Sequence, residues 1–212
     1  RLIAQHWARL GVEELEPFRE AERKFRPKNE GLTPKNRKKL RPFLNEEPCR
    51  VIVGLPSKII KTINKSVPTV LDAVRVQSAL AVAILLNAPM RIRNLSSLEF
   101  IRHVDRVDTN SIHLVFKDEE TKNDQDLDYP LGKTAIEILD LYDQVYRPLL
   151  LKKAKDKGEL FISWNGNRKS EAALSAQLKK FIHEETGYDL SPHTFRHLVG
   201  LIFLKRYPGE YE

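Results

Sequence analysis

The stretch of sequence that decides the fold and indicates a site is Leu190-Ser191-Pro192-His193-Thr194-Phe195-Arg196-His197. Ser191 is typical of a helix N-cap and Pro192 of a first helical residue, so a helix is predicted to begin here. His193 and Arg196 then share one face of the first turn. Free backbone N–H groups and the positive end of the helix dipole favour an anion at such a turn. A guanidinium fork matches phosphate oxygens and an imidazole can move a proton near neutral pH, so the pattern indicates a phosphate site.

Positive charge is concentrated in the first third of the sequence. The 212 residues carry a net charge of +7, and residues 1–66 hold 16 basic and 8 acidic side chains, whereas residues 67–212 hold 20 and 21. Nine basic residues form one basic segment that a single acid, Glu30, interrupts: Arg23, Lys24, Arg26, Lys28, Lys35, Arg37, Lys38, Lys39 and Arg41. Such a segment is typical of contact with DNA phosphates, so these nine residues are predicted to bind double-stranded DNA. The alternative is a solvated linker without a partner.

The composition argues against several other classes of protein. A single cysteine, Cys49, excludes an intramolecular disulfide and fits a reducing, cytoplasmic compartment. The longest purely apolar run, residues 79–86, is too short to span a bilayer. The Asp-x-Asp-x-Asp pattern of residues 124–128 begins like a calcium-binding loop, but Tyr129 stands where that loop needs glycine. No metal, cofactor or membrane partner is therefore predicted.

Hydrophobic periodicity predicts an α+β fold that is mostly α-helical. Helices are expected over residues 1–23, from Thr33-Pro34 onward, and over residues 56–65, 69–87, 133–146 and 170–186. The second half of residues 69–87 is apolar nearly all round, which predicts a buried central helix. Alternating apolar residues over 112–116 and 127–129 predict an antiparallel β-hairpin, and residues 160–163 a short strand. A break around residues 42–48 predicts a domain boundary near residue 45.

Two more basic residues stand where chemistry is expected. Arg91 follows the break that ends the buried helix, so its guanidinium must find an anion or a carboxylate. A structural salt bridge is the alternative for Arg91. Lys122 lies in the turn of the predicted hairpin, where a lysine can act as a general acid. The many acidic residues around Lys122 favour the alternative of an ordinary surface lysine.

The order of these elements resembles that of the tyrosine recombinases, or phage-type integrases. The resemblance covers roughly residues 32–212 and is carried by Ala88-Pro89-Met90-Arg91-Ile92-Arg93-Asn94-Leu95, by Thr121-Lys122 followed by Asp128-Tyr129-Pro130-Leu131, by Leu160-Phe161, by Ser191-Pro192-His193-Thr194-Phe195-Arg196-His197, and by Tyr207-Pro208-Gly209. It implies a recombinase catalytic domain with a small antiparallel sheet over residues 46–212. Residues 1–45 would be the helical end of an N-terminal DNA-binding domain with its basic linker.

The resemblance also implies a function and roles for single residues. The parent protein would be a site-specific recombinase of a prophage or mobile element, breaking and rejoining DNA through a 3′-phosphotyrosine without a cofactor. Arg91 and Arg196 would clamp the scissile phosphate, and His193 would assist by a hydrogen bond or proton transfer. Lys122 would protonate the leaving 5′ oxygen. The family further implies a homotetramer on paired DNA sites in the bacterial nucleoid.

Two features depart from the family pattern. Asn94 stands where the family usually has an acidic residue, three positions after the first arginine. The family's nucleophilic tyrosine lies a few tens of residues beyond His-x-x-Arg, and Tyr207 and Tyr211 are too close to Arg196. The sequence is therefore expected to be a piece of a longer enzyme, monomeric and unable to cleave DNA by itself. The alternatives are a type IB topoisomerase or telomere resolvase, a DNA-binding protein that has this fold without its chemistry, and a basic structural protein without a nucleic-acid partner.

Overall fold

The structure of the protein is a computed structural model that describes residues 15–18, 20, 32–63, 65–120 and 125–207. The chain forms two compact units, Arg1–Arg37 and Lys38–Glu212, and each is described by itself. The helix predicted over residues 1–23 lies almost wholly outside the described residues. The predicted division of function into residues 1–45 and 46–212 remains a prediction.

Residues 34–62 form two helices that a short 3₁₀ turn separates. Helix α1 spans Pro34–Leu40 and begins, as predicted, after Thr33, whose side chain accepts a hydrogen bond from the Asn36 N–H at 3.3 Å. A 3₁₀ turn over Arg41–Leu44 follows, and then helix α2 spans Glu46–Thr62. The helix predicted over residues 56–65 was therefore placed ten residues too late. Pro48 lies in the first turn of α2, where no backbone N–H is needed, and Pro56 removes one hydrogen bond from a helix that has one buried face.

Helix α3, Val70–Asn87, is the buried centre that the sequence predicts. Its start is fixed by a capping box, because the Thr69 side chain accepts from the Asp72 N–H and the Asp72 carboxylate from the Thr69 N–H, each at 3.1 Å. Every residue from Val76 to Leu85 is buried. Among the described helices, α3 alone is long and apolar enough to cross a membrane by length and composition, and 61% of it is buried inside the protein. Its apolar surface is therefore accounted for by the core.

A small antiparallel sheet follows two short helices, α4 over Ile92–Ser96 and α5 over Phe100–His103. Strands β1, β2 and β3 span Val104–Arg106, Ile112–Phe116 and Leu127–Pro130 and are arranged in the order β1-β2-β3. The predicted hairpin is confirmed, with Leu114 paired to Tyr129. Strand β1 was not predicted, because three residues of which two are exposed carry no readable alternation.

The remaining helices complete the shell around α3. Helix α6 spans Lys133–Leu141, a π-helical turn covers Tyr142–Tyr146, and helix α7 spans Arg147–Leu151, so the helix predicted over 133–146 continues beyond its expected end. Helix α8 spans Glu171–Thr186 and helix α9 spans Pro192–Arg206. The strand predicted over 160–163 is not formed; Ile162 makes one isolated bridge, to Arg168. Three buried apolar residues there pack into the core, and their backbone makes only single hydrogen bonds to neighbouring segments, such as that from the Leu160 N–H to the Leu98 carbonyl at 2.8 Å.

Helix α3 lies at the centre of the packing and contacts α2, α6, the π-helical turn, α7, α8 and α9. The predicted α+β, mostly helical architecture is thus confirmed. Asn87 joins the end of α3 to the start of α6, because its amide donates to the Ala83 carbonyl at 2.7 Å and accepts from the Gly132 N–H at 2.9 Å. Arg91 therefore follows a helix end that is hydrogen-bonded to a neighbouring helix.

A polar cluster interrupts the apolar surface of α3 and includes a lysine. The Lys169 ammonium group, 7% exposed, donates to Gln77 Oε1 at 2.8 Å and to Gln177 Oε1. Gln77 in turn donates to the Tyr142 hydroxyl at 2.7 Å, and Gln177 donates to the Ser78 hydroxyl at 2.8 Å. Burial lowers the pKa of Lys169 to about 8. The cluster therefore ties α3 to α8 and to the loop before α8 without a carboxylate.

Candidate functional site

Arg91 lies at the N-cap of α4, immediately after buried Met90, and its side chain is exposed. The backbone at Arg91 is extended, with φ −72° and ψ 150°, so the chain turns sharply out of the core before α4 begins. No carboxylate of the described residues forms an ion pair or hydrogen bond with its guanidinium. The alternative of a structural salt bridge is therefore not realised within the part of the chain that the structure describes.

A polar pocket of about 500 Å³ opens beside Arg91. Its lining residues are Arg91, Arg93, Asn94, Ser97, Arg102, Glu119 and Glu120. Three guanidinium groups and an amide carry hydrogen-bond donors, and two carboxylates lie on the hairpin side. The volume falls within the range of about 300–1,000 Å³ that is usual for ligand sites. The pocket is large enough for an anion bigger than a halide ion.

One of the two carboxylates is already engaged by neighbouring groups. Glu120 Oε1 lies 3.1 Å from Arg102 and 3.0 Å from His103 Nε2, and Oε2 accepts from the Lys117 N–H at 3.2 Å. Partial burial acts to raise the pKa of Glu120, but the hydrogen bonds from His103 and Lys117 and the charge of Arg102 lower it overall. His103 is buried and its Nδ1 accepts from the Glu99 N–H at 2.9 Å, which leaves the proton on Nε2 for Glu120. Glu120 therefore remains an ionised partner of Arg102.

The loop between β2 and β3 carries Lys122, which lies outside the described residues. The described start of the loop is a 3₁₀ turn, Asp118–Glu120. Asp126 closes the loop at its base, because its carboxylate accepts from the Asp118 N–H at 2.9 Å and from Lys117 Nζ at 3.3 Å. Glu119 and Glu120 extend this base to the pocket. The wall of the pocket thus belongs to the same loop as Lys122, two residues along the sequence from Glu120.

Helix α9 begins at the predicted residue and with the predicted cap. The Ser191 hydroxyl accepts from the Thr194 N–H at 3.2 Å, and Pro192 is the first helical residue. His193 is exposed and Arg196 is half-buried on this first turn. No ion pair joins Arg196 to a described residue. Neither His193 nor Arg196 is among the residues that line the pocket beside Arg91.

His197 lies one turn after His193 on α9 and is half-buried. Its ring lies 4.9 Å from the ring of His193 in an edge-to-face contact. Burial lowers the pKa of His197, and the charges of His193 and Arg196 lower it further. The spacing of four residues between the two histidines could have indicated this contact, because residues i and i+4 face each other on a helix.

The basic segment lies partly outside the described residues. Arg23, Lys24, Arg26 and Lys28 are not described. Of the others, Lys35, Arg37, Lys38 and Arg41 are exposed and Lys39 is half-buried. No group of three or more His, Cys, Asp or Glu among the described residues is placed to hold a metal ion.

Comparison with known proteins identifies the family. Residues 55–206 match the sequence profile of the phage integrase family. The tyrosine recombinase XerC of Alcanivorax borkumensis is 29% identical over 147 residues, which are 63% of this chain and 46% of the recombinase. The XerH site-specific recombinase in a post-cleavage complex with palindromic difH substrate has a TM-score of 0.55 at 18% identity, covering 76% of this chain and 41% of XerH. The XerA recombinase has a TM-score of 0.53 at 14% identity, covering 99% of this chain and 67% of XerA.

These comparisons differ in what they establish. At 14–18% identity, the XerH and XerA structures show a shared fold. The chain spans less than half the length of XerC and XerH. The sequence profile, however, covers most of the chain and includes both Arg91 and the first turn of α9. On this basis the chain belongs to the phage integrase family of tyrosine recombinases.

Proposed function

We propose that this protein takes part in site-specific breakage and rejoining of DNA strands, by phosphoryl transfer through a 3′-phosphotyrosine. The observation that carries the proposal is the pocket beside Arg91, where an exposed arginine without a partner among the described residues lines a cavity rich in hydrogen-bond donors. An arginine left without a carboxylate in a concave site is suited to a phosphate ligand. Family membership makes a DNA phosphodiester the candidate for that ligand.

The proposed roles follow the charge that develops during phosphoryl transfer. Arg91 and Arg196 bind the non-bridging oxygens of the scissile phosphate and stabilise the transition state. His193 donates a hydrogen bond to the same phosphate, which suits its exposed position on the first turn of α9. Lys122 gives its proton to the 5′ oxygen as the bond from phosphorus to that oxygen breaks. A tyrosine oxygen forms the new bond to phosphorus, so the phosphodiester is exchanged without a metal or an oxidant.

The tyrosine that would attack is not assigned to a described residue. Tyr207 lies at the end of α9, and its spacing from Arg196 is shorter than the family's spacing by a few tens of residues. Tyr211 lies outside the described residues and is only four residues further on. We expect residues 1–212 alone to bind DNA and to form no covalent adduct with it.

The partner in this proposal is double-stranded DNA in the bacterial cytoplasm. The whole protein is proposed to bind this DNA as a homotetramer, and residues 1–212 alone are proposed to bind it as a monomer. The related XerH structures contain a recombinase bound to its DNA substrate, which supports DNA as the partner here. Binding should weaken steeply with salt, because each arginine or lysine that contacts a phosphate releases a condensed counterion. The basic segment is proposed to supply many of these contacts.

A double-mutant cycle tests whether Arg91 and Arg196 hold one phosphate. DNA affinity is measured by fluorescence anisotropy with a duplex chosen by selection from a random pool, for Arg91→Gln, Arg196→Gln and the double variant. Each single change is expected to lower affinity about tenfold, and their effects should be coupled by at least about 0.5 kcal/mol. The exposed Arg50→Gln, on a residue paired to Glu46 at 2.9 Å, is the matched control for loss of one positive charge.

Contrary results separate the alternatives. Additive effects of Arg91→Gln and Arg196→Gln would mean that the two arginines contact different phosphates. Salt-dependent binding without any enriched sequence would favour a non-specific DNA-binding protein of this fold. No salt-dependent binding at all would overturn the proposed function, and a covalent adduct formed by residues 1–212 would overturn the assignment of the nucleophile.

A further inference from the structure

Arg93 is a second arginine of the pocket, and it has no part in the proposed phosphoryl transfer. It is the second residue of α4, it is exposed, and it lines the same pocket as Arg91. No carboxylate of the described residues pairs with its guanidinium, whereas the third arginine of the pocket, Arg102, is paired to Glu120 at 3.1 Å. Arg91 and Arg93 are therefore the two cations of the pocket that are available to a ligand.

The positions of Arg91 and Arg93 make them complementary rather than redundant. Arg91 has the extended backbone of an N-cap, whereas Arg93 lies inside α4 two residues further on, so the two side chains leave the backbone in different directions. One arginine fork can occupy both non-bridging oxygens of one phosphodiester. A second fork at a different side is then placed for a neighbouring group of the same ligand. A pocket of about 500 Å³ has room for more than one phosphate.

The neutral residues of the pocket reinforce this arrangement. Asn94 and Ser97 also line the pocket, and neither adds a negative charge. The Ser97 hydroxyl donates to the Asn94 backbone carbonyl at 3.0 Å, and the Asn94 side-chain amide makes no hydrogen bond to a described residue. Glu119 is the one lining carboxylate without an ion pair to a described residue. Its charge opposes an anionic ligand and limits affinity.

We infer that Arg93 binds the phosphate adjacent to the one held by Arg91 on the same DNA strand, so that the pocket grips two consecutive phosphates. This inference rests on the proposed function, because it assumes that the ligand is a DNA backbone. Arg93 acts by positioning the strand and does not touch the reacting atoms. Glu119 lowers the affinity of the same site by repulsion.

The experiment compares Arg93→Gln, Arg93→Lys, Glu119→Gln and the control Arg50→Gln in the 212-residue chain. Affinity for the selected duplex is measured over a series of salt concentrations, and thermal melting checks that each variant is folded. Arg93→Gln should lower affinity about tenfold and reduce the slope of log affinity against log salt by about one. Arg93→Lys should keep the slope and lose part of the affinity, because it keeps the charge but not the fork. Glu119→Gln should raise affinity about threefold.

The results distinguish failure of this inference from failure of the proposed function. If the unchanged protein binds no DNA, the proposed function fails and the inference fails with it. If it binds DNA but Arg93→Gln behaves like Arg50→Gln in both affinity and slope, only the inference is overturned. If Arg93→Lys loses as much slope as Arg93→Gln, the effect is not that of a phosphate contact and the inference is again overturned.

Discussion

Arg147 and Arg91 are two arginines in opposite surroundings. Arg147, only 4% exposed, donates from Nη1 to Asp156 at 2.6 Å, donates from Nε and Nη2 to the Glu159 carbonyl at 3.2 and 3.0 Å, and lies over the Phe100 ring at 4.9 Å. Arg91 is exposed and has no hydrogen bond or ion pair to a described residue. The fold therefore pairs most donors of the Arg147 guanidinium and, among the described residues, provides none of the partners that Arg91 could bind.

The difference shows how the partners of an arginine indicate whether it stabilises the fold or is available to bind a ligand. Removing a partner from Arg147 would leave a buried charge uncompensated, which costs folding free energy. Removing Arg91 leaves no buried group unsatisfied, so the protein should fold without it. An arginine that the fold does not need, placed in a donor-rich pocket, is available for binding.

Asp156→Asn should destabilise the protein by about 2–3 kcal/mol, because it removes the charged partner of buried Arg147. The hydrogen bonds from Arg147 lower the pKa of Asp156 to about 2. The carboxylate therefore stabilises the fold above about pH 4, and this contribution is lost as the pH falls toward about 2. Urea unfolding at pH 7 and pH 3 measures both effects. Asp143→Asn is the control, since its carboxylate lies 4.0 Å from Arg147; an equal loss in this variant would contradict the assignment.

Lys169 is intermediate between Arg147 and Arg91, because it is a buried cation that has amide partners but no carboxylate partner. Its folded pKa of about 8 lies below the usual value of about 10.4, so the unfolded chain binds more protons between these values. The free energy of unfolding should therefore rise by up to about 2 kcal/mol from pH 7.5 to 9.5. Lys169→Met should abolish this rise, whereas the exposed Lys61→Met should retain it. A rise that persists in Lys169→Met would assign it to another group.

Glu120→Gln converts Arg102 from a paired arginine to an unpaired one within the same pocket. The loss of charge weakens the hydrogen bonds from His103 and Lys117, so stability should fall by about 1 kcal/mol. DNA affinity should rise about threefold, because the pocket loses a negative charge and gains a free guanidinium. Urea unfolding and anisotropy on the same sample measure the two changes. Lower affinity with lower stability would mean that Glu120 positions the loop rather than restraining Arg102.

Arg91→Gln should have the smallest effect on folding, within about 0.5 kcal/mol of the unchanged protein, because no described residue depends on its charge. Thermal unfolding in the absence of DNA measures this value. A loss of 2 kcal/mol or more would show that Arg91 has a structural partner and would remove the contrast with Arg147.

Much of the fold could be predicted from the sequence where local signals and burial agree. Thr69 and Ser191 are strong caps, and the apolar run after Thr69 requires burial, so both helices begin at the predicted residue. The helix at Glu46–Thr62 was predicted too short, because the sequence gives no measure of how far buried contacts compensate for a proline inside a helix. The prediction of a strand over residues 160–163 is wrong, because a short apolar run occurs in a buried loop as well as in a strand.

The site could be predicted only in its separate parts. The break before Arg91 and the cap before His193 can be recognised from local patterns of residues. The pairing of Arg102 with Glu120, and hence the availability of Arg93, depends on how the hairpin packs against α5 and α4. Contacts between residues far apart in sequence leave no periodic signal. The contact between His193 and His197 was missed although its spacing was readable.

The central position of α3 has a consequence during synthesis of the protein on the ribosome. Helix Val70–Asn87 has a mean hydropathy of 1.5, and two of the helices that cover it, α8 and α9, begin only at Glu171 and Pro192. At about 5–20 residues per second, roughly 5–20 s pass between the translation of α3 and that of α9. During this interval the nascent chain displays a segment that resembles a membrane anchor in length and apolarity. Chaperone capture of nascent chains, compared before and after residue 206 has emerged, should therefore fall once α9 can dock.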